Sequence, residues 1–199
     1  MEMNEENLQS EPPLKNEVVA FFWETVKIVI ISLVIILPIR YWLVQPFFVK
    51  GASMESNFED GDYIFVDELS YNFGHPTRGD VVIFRYPLDQ SQYFIKRVIG
   101  LPGETVEIKN NTVTIYNPQH PTGYDLAEPY LDKGQQTLGT LKVKLDDNEY
   151  YVLGDNRLQS SDSRRWGPVN RTLITGRAFI RLWPFSRVAN IQHIVYPSQ

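Results

Sequence analysis

The chain has no cysteine, only three histidines, a single long apolar run and no excess of basic charge. Each shortage removes a class of protein. Without thiols there is no disulfide, no thiol-protease or sortase-type chemistry and no cysteine-ligated zinc, while hydroxyl chemistry survives. The histidines are scattered: His75 and His120 each precede a proline in loop-like sequence, and His193 lies near the C-terminus. No HExxH spacing or serine-histidine-aspartate motif stands behind them. A formal net charge of -5 and a pI near 5.2 leave no basic stripe for phosphate contacts, so nucleic acid is not an expected partner. Glu59-Asp60-Gly61-Asp62 reads as a tight turn rather than a calcium loop, and no metal or other cofactor is expected.

What is present begins with 199 residues of 43% apolar content, enough for one good-sized domain with a packed core. The first 20 residues hold Glu2, Glu5, Glu6, Glu11 and the Pro12-Pro13 pair; residues 1–20 read as a disordered tail. The apolar run VKIVIISLVIILPIRYWLV, Val26 to Val44, measures roughly 29 Å as a helix at about 1.5 Å per residue, enough to span a bilayer. Lys27 and Arg40 stand where charged heads snorkel, Trp23, Tyr41 and Trp42 form an aromatic belt, and Pro38 is a kink site. A cleavable leader is the competing reading. More acid than base precedes the run and no small-x-small site follows it, so residues 21–45 are expected to be an uncleaved anchor. Charge leaves its orientation tied, Lys15 and Lys27 against Arg40 and Lys50.

From residue 46 to 199 short β-branched and aromatic runs alternate with turn residues, which predicts a mainly β, antiparallel sheet or barrel-like domain hung from one helix. Predicted strands are 47–50, 63–66, 80–86, 94–99, 105–109, 112–116, 150–153 and 177–183. Asn110-Asn111 joins two of them as a two-residue hairpin, because asparagine tolerates positive φ. Residues 117–148, rich in proline and glycine, read as an inserted lobe or long loop.

Three segments carry chemistry. KGASMESNFEDGD, Lys50 to Asp62, places Ser53 after Gly51-Ala52, where an uncrowded backbone admits a carbonyl to both a hydroxyl and an N–H. YFIKRVIGLPGE, from Tyr93, sets Lys96 in an apolar strand on the face of Phe94 and Val98, with Arg97 on the other face. GDNRLQSSDSRRWG, Gly154 to Gly167, is dense in turn formers and hydroxyls. Taken singly they read as a turn, a solvated charge pair at a strand edge and a loop tied by ion pairs. An unperturbed lysine, pKa about 10.4, is neutral in only about four molecules per ten thousand at neutral pH. Burial that brought it to about 7 or 8, roughly 3 to 5 kcal/mol, would make it a base.

In order, SM, RGDVVIFRYP, FIKRVIGLPG, GDNRxxSxDSR and GRAFIRLWPF resemble the type I signal peptidases, over roughly Pro46 to Arg187. The resemblance implies a membrane-bound serine-lysine endopeptidase that removes signal peptides after Ala-x-Ala-type sites, held by a single span in the bacterial cytoplasmic membrane. Its N-terminus would be cytoplasmic, its catalytic domain outside, and its partners signal peptides and membrane lipid. Carried over, Ser53 is the nucleophile and contributes its backbone N–H to the oxyanion, Lys96 is the general base and Ser160 orients the lysine amine. Asp155, Asp162 and Arg164 brace the loop, and Phe47, Val49, Phe58, Phe94 and Ile95 line the pockets for small side chains. Two departures stand out: Ser56-Asn57 replaces the family's usual Pro-Thr, removing a fixed φ, and Gly51 stands where some members carry an oxyanion-binding hydroxyl. The rival readings are a self-cleaving repressor-type serine-lysine protease, which the anchor argues against, and an inactive membrane-anchored binding module.

Overall fold

A computed structural model describes residues 14–38, 44–191, 194 and 196. Residues 1–13 of the expected tail, the expected interfacial Arg40, Tyr41 and Trp42, and His193 lie outside the described residues. The described residues divide into a helical unit and a β unit.

The helical unit is α1, Leu14–Pro38, 25 residues long. Helix therefore begins at Leu14, inside the stretch expected to be tail, because the proline pair of the sequence is followed by good helix formers. It ends at Pro38, the expected kink, since proline lacks the N–H that continues a helix. The membrane-length window is accordingly Val18–Leu37, earlier than the Val26–Val44 run, and none of it is buried against protein. A helix apolar on all sides and without a protein partner suits lipid, and α1 is compatible with a membrane anchor.

The β unit contains β1 (Val44–Phe48), β2 (Tyr63–Asp67), α2 (Leu69–Phe73), β3 (Val81–Tyr86), β4 (Asp89–Gly100), β5 (Thr105–Lys109) and β6 (Thr112–Asn117). It continues through β7 (His120–Asp125), β8 (Leu141–Lys144), β9 (Glu149–Leu153), α3 (Ser163–Trp166), β10 (Val169–Asn170), β11 (Ile174–Trp183) and β12 (Ala189–Asn190). The larger sheet runs β1-β2-β11-β3-β4-β9-β10, with β12 on β11, and the smaller runs β7-β6-β5-β8. All pairings are antiparallel, as alternating strands joined by tight turns require.

The eight predicted strands appear, 105–109 with the same ends as β5 and the others with one or both ends shifted; β7, β8, β10 and β12 have no counterpart among them. HPTGYD in β7 carries the proline and glycine that speak against a strand, yet it lies at a sheet edge, where both are tolerated. Gly123 there has φ +78, and a Cβ would stand 2.6 Å from the Tyr116 ring, so only glycine fits. The smaller sheet thus spans Thr105 to Lys144 and takes in β5 and β6, beginning well before residue 117. Asn110 and Asn111 have φ 52 and 64 at the β5–β6 hairpin, the double positive φ of a two-residue turn.

Three buried clusters hold the unit together. One, around Ile99, Val106, Ile108, Ile115 and Tyr151, lies under the smaller sheet. A second joins Tyr71, Phe84, Val98 and Val152. The third, with Val49, Met54, Phe58, Ile64 and Ile83, supports the segment that carries Ser53. Each fully buried side chain of this kind contributes about 2 kcal/mol from burial alone.

Candidate functional site

Ser53 lies on the connection between β1 and β2. That connection is closed at its neck by Val49 N–H on Asp62 O (2.9 Å) and Gly61 N–H on Val49 O (3.0 Å). Inside it, Met54 (0% exposed) and Phe58 (2%) point inward from one turn, Phe58 N–H donating to Met54 O at 2.8 Å. Two apolar anchors thus hold the turn from below and leave Ser53 above it. Gly51 has φ +85 with open space where a Cβ would be, so glycine serves backbone conformation here, and its N–H donates to Asp60 Oδ1 at 2.7 Å.

The Gly154–Asn156 segment, just beyond β9, braces the turn from behind. Asn156 donates from its backbone to Ser53 O (3.1 Å) and from its side chain to Ala52 O (3.0 Å). Asp155 N–H contacts Met54 Sδ at 3.4 Å. A Cβ on Gly154 would stand 2.4 Å from Ser53 O and 2.2 Å from Ser160 Oγ, so any side chain there displaces the Ser53 backbone or the Ser160 side chain.

Lys96 is on β4, an interior strand between β3 and β9, and is 3% exposed; it is not a solvated edge residue. Its Nζ is 2.7 Å from Ser53 Oγ and 2.8 Å from Ile95 O. Both neighbours are neutral oxygens. Burial pulls the amine's pKa from its usual 10.5 down to about 8, with the charges of Asp162 and then Asp155 pulling weakly the other way. Arg97, one residue on, faces the opposite side and is also buried. It makes a two-pronged pair with Asp155 (2.8 and 2.5 Å) and donates to Gly79 O at 2.8 Å. Arg97 therefore stays cationic and is fully partnered.

The other expected residues divide. Asp162 caps α3 and accepts from Gly154 N–H (3.1 Å) and Arg164 Nε (2.8 Å), and Asp155 holds Arg97, so all three sit in the loop behind the turn. Ser160 Oγ is buried without a partner, beside Gly154, and the expected hydrogen bond to Lys96 is not made; the amine is held by Ser53 and Ile95 O instead. Phe47, Val49, Phe94 and Ile95 line a cleft of about 660 Å³ that has Ser53 and Lys96 on its wall and Ile64 and Ile83 among its lining. Phe58 does not line it. The turn that places Phe58 with Met54 sends its ring into the core, under the Arg181 guanidinium at 5.4 Å.

Several residues escaped the sequence reading. Ile64, Ile83 and Tyr93 line the cleft from strands that look like ordinary core sequence. Arg157, fully buried, binds Glu128 and Thr137 and so ties the 128–137 segment to the site. Among the described residues no cluster of three or more His, Asp or Glu suited to a metal occurs. A hydroxyl touching a buried, weakly basic amine beside an apolar cleft is suited to nucleophilic attack on a carbonyl.

The comparisons with known proteins agree in kind. The model of the family described as signal peptidase, peptidase S26, matches residues 22–183. A probable signal peptidase I-1 of Synechocystis sp. is 36% identical over 175 residues, 84% of this chain and 85% of the relative. A signal peptidase I of Bacillus amyloliquefaciens is 37% identical over 174 residues, 82% and 86%. The crystal structure of a signal peptidase I from Enterococcus faecalis V583 is 32% identical, covers 52% of this chain and 97% of its own, and superposes with a TM-score of 0.44. By the span of the family model and of the two relatives the chain belongs to the signal peptidase family, peptidase S26.

Proposed function

We propose that this protein is a membrane-anchored endopeptidase that removes signal peptides from exported preproteins, using Ser53 as nucleophile and Lys96 as general base. One observation carries the reading: a buried amine with a pKa lowered to about 8 stands 2.7 Å from a serine hydroxyl on the wall of an apolar cleft. In the neutral state the Ser53 hydroxyl donates to Nζ. As Oγ attacks the carbonyl carbon of the residue before the scissile bond, its proton moves to Nζ. The oxyanion accepts a hydrogen bond from Ser53 N–H. Collapse breaks the C–N bond, and the ammonium returns the proton to the departing amine of the mature chain. The regained neutral amine then takes a proton from water as it attacks the acyl ester, and collapse breaks the ester C–O bond while the ammonium returns that proton to Ser53 Oγ, restoring hydroxyl and neutral amine.

A neutral amine that accepts from Ser53 and donates one N–H to Ile95 O keeps a second N–H. Ser160 Oγ, a buried oxygen without a partner, is the acceptor we assign to it after rotation of the serine side chain. Cleft walls from β1 and β4, set with Phe47, Val49, Phe94 and Ile95, favour small apolar side chains on the signal peptide. We assign the N-terminus to the cytoplasm and the β unit to the opposite side of the cytoplasmic membrane, with lipid and preproteins as partners and no metal.

The test is cleavage of a preprotein with an Ala-x-Ala site by the detergent-solubilised protein. Mature product is expected with the unaltered chain and none with Ser53→Ala or Lys96→Ala; folded variants that still cleave overturn the assignment.

A further inference from the structure

Asn57 lies four residues after Ser53 on the same β1–β2 connection, and it is tied to three separate pieces of the β unit, two through its side chain and one through its backbone. Its Nδ2 donates to Asp155 Oδ2 at 2.9 Å and to Tyr130 O at 2.9 Å. Its backbone carbonyl accepts from Arg181. Asp155 is the carboxylate that grips Arg97 at 2.8 and 2.5 Å, and Arg97 also lies over the Tyr130 ring, its guanidinium carbon 4.1 Å from the centroid. One amide group therefore connects the turn of Ser53 to the ion pair directly behind Lys96 and to the 128–137 segment.

We propose that Asn57 is a positioning residue for the Ser53–Lys96 reaction, its amide replacing a fixed proline turn by clamping the nucleophile's turn onto Asp155 and Tyr130. The inference rests on the Ser53–Lys96 reading above. Its logic is geometric. Met54 and Phe58 hold the turn from below by apolar contact and Asn156 holds the Ala52 and Ser53 carbonyls, while Asn57, a donor with two fixed acceptors farther along the same turn, adds a separate lateral tie. The Asn57 side chain also forms part of the wall of a cavity of about 610 Å³ that reaches Arg97, Tyr130 and Arg181. Truncating it also removes a donor from Asp155, whose charge favours the Lys96 ammonium. Two effects follow: Ser53 loses its place against Nζ, and the less well-engaged Asp155 carboxylate makes the amine more basic.

The experiment uses the full chain in detergent with a preprotein substrate and compares Asn57→Ala with Asn57→Thr, which keeps one donor. Displacements of about an ångström cost up to about 100-fold in rate. Asn57→Ala is expected to lower kcat by about 10- to 100-fold with KM within about threefold, and to move the acid limb of the pH profile upward. Asn57→Thr is expected between the two. If Asn57→Ala does not fold, Asn57→Thr carries the test alone, and a reduced kcat with an upward-moved limb supports the proposal. Wild-type kcat and an unmoved limb in the folded fraction of either variant overturn it. Ser53→Ala and Lys96→Ala are run beside them: if these retain activity, the dyad reading fails, whereas if they are inactive and the Asn57 variants are normal, only the positioning role is lost.

Discussion

Acidifying the medium removes the base on which the proposed reaction depends. Lys96 is almost wholly buried, and burial brings its pKa from 10.5 to about 8, which corresponds to about 3 kcal/mol of preference for the neutral amine. The neutral fraction is then about 90% at pH 9, about 10% at pH 7 and about 1% at pH 6. The sign follows from the chemistry: protonation adds a charge and removes the lone pair, so activity is lost as pH falls. In a steady-state assay of preprotein cleavage, kcat/KM should rise about tenfold per pH unit through the acid limb and level off above about pH 8. The assay needs a substrate without titratable groups near the cleavage site. Titrating the same amine directly by NMR in a Ser53→Ala variant should give a midpoint near the kinetic one. A profile flat from about pH 6 to 9, or a limb near 10 as for a solvated lysine, refutes the reasoning.

The folded-state pKa of Lys96 is lowered, so stability rises with pH between about 8 and 10.5, and below about pH 8 the fold carries a buried cation. Lys96→Met should therefore abolish cleavage yet raise the unfolding free energy of the β unit at neutral pH, read from urea denaturation, by up to about 3 kcal/mol. Gly154→Ala places a methyl 2.4 Å from Ser53 O and 2.2 Å from Ser160 Oγ, and should reduce kcat by more than about 100-fold in a preprotein assay. Ser160→Ala, if the hydroxyl receives the second N–H of the neutral amine, should lower kcat by about 10-fold or more while leaving thermal stability near wild type. Asp155→Ala leaves Arg97 buried and unpaired and should cost about 3–5 kcal/mol in chemical denaturation.

How much of this was legible in the sequence depended on the range of the information. The N-terminal apolar helix, the eight stronger strands and the Asn110-Asn111 hairpin follow from local composition and period, because a continuous apolar run or an alternating face is written into consecutive residues. Ser53 and Lys96 were reached from a residue type out of place in its surroundings together with the family pattern. The remainder is long-range. Phe58 is expected on the cleft from the family resemblance alone, but one turn of chain sends its ring into the core beside Met54. Gly154 looked like one more turn former; only contact with Ser53 O shows why no side chain is admitted. Asn57 looked like the loss of a rigid turn, and its two acceptors, 73 and 98 residues away, are invisible to any local window.

Lys96 and Arg97 show how one strand sets two opposite electrostatic outcomes on adjacent residues. Both are buried to about the same depth, 3% exposed each, and burial works against the cation in both. Alternation turns them to different faces of the sheet. On its face Arg97 meets the Asp155 carboxylate, whose hydrogen bonds and charge raise its pKa above the ordinary arginine value despite burial. On its face Lys96 meets only a hydroxyl and a carbonyl, and Asp155 reaches it as a distant, weak charge already neutralised by Arg97. The ion pairs behind the lysine thus have a second consequence besides bracing the turn: they keep the nearest carboxylates engaged, Asp155 by Arg97 and Asp162 by Arg164, so that their charges offset only part of the effect of burial on the amine. Freeing either carboxylate, by replacing its arginine with a neutral residue, should make Lys96 a stronger but more fully protonated base and push the acid limb above pH 8, an effect opposite in sign to any gain in burial.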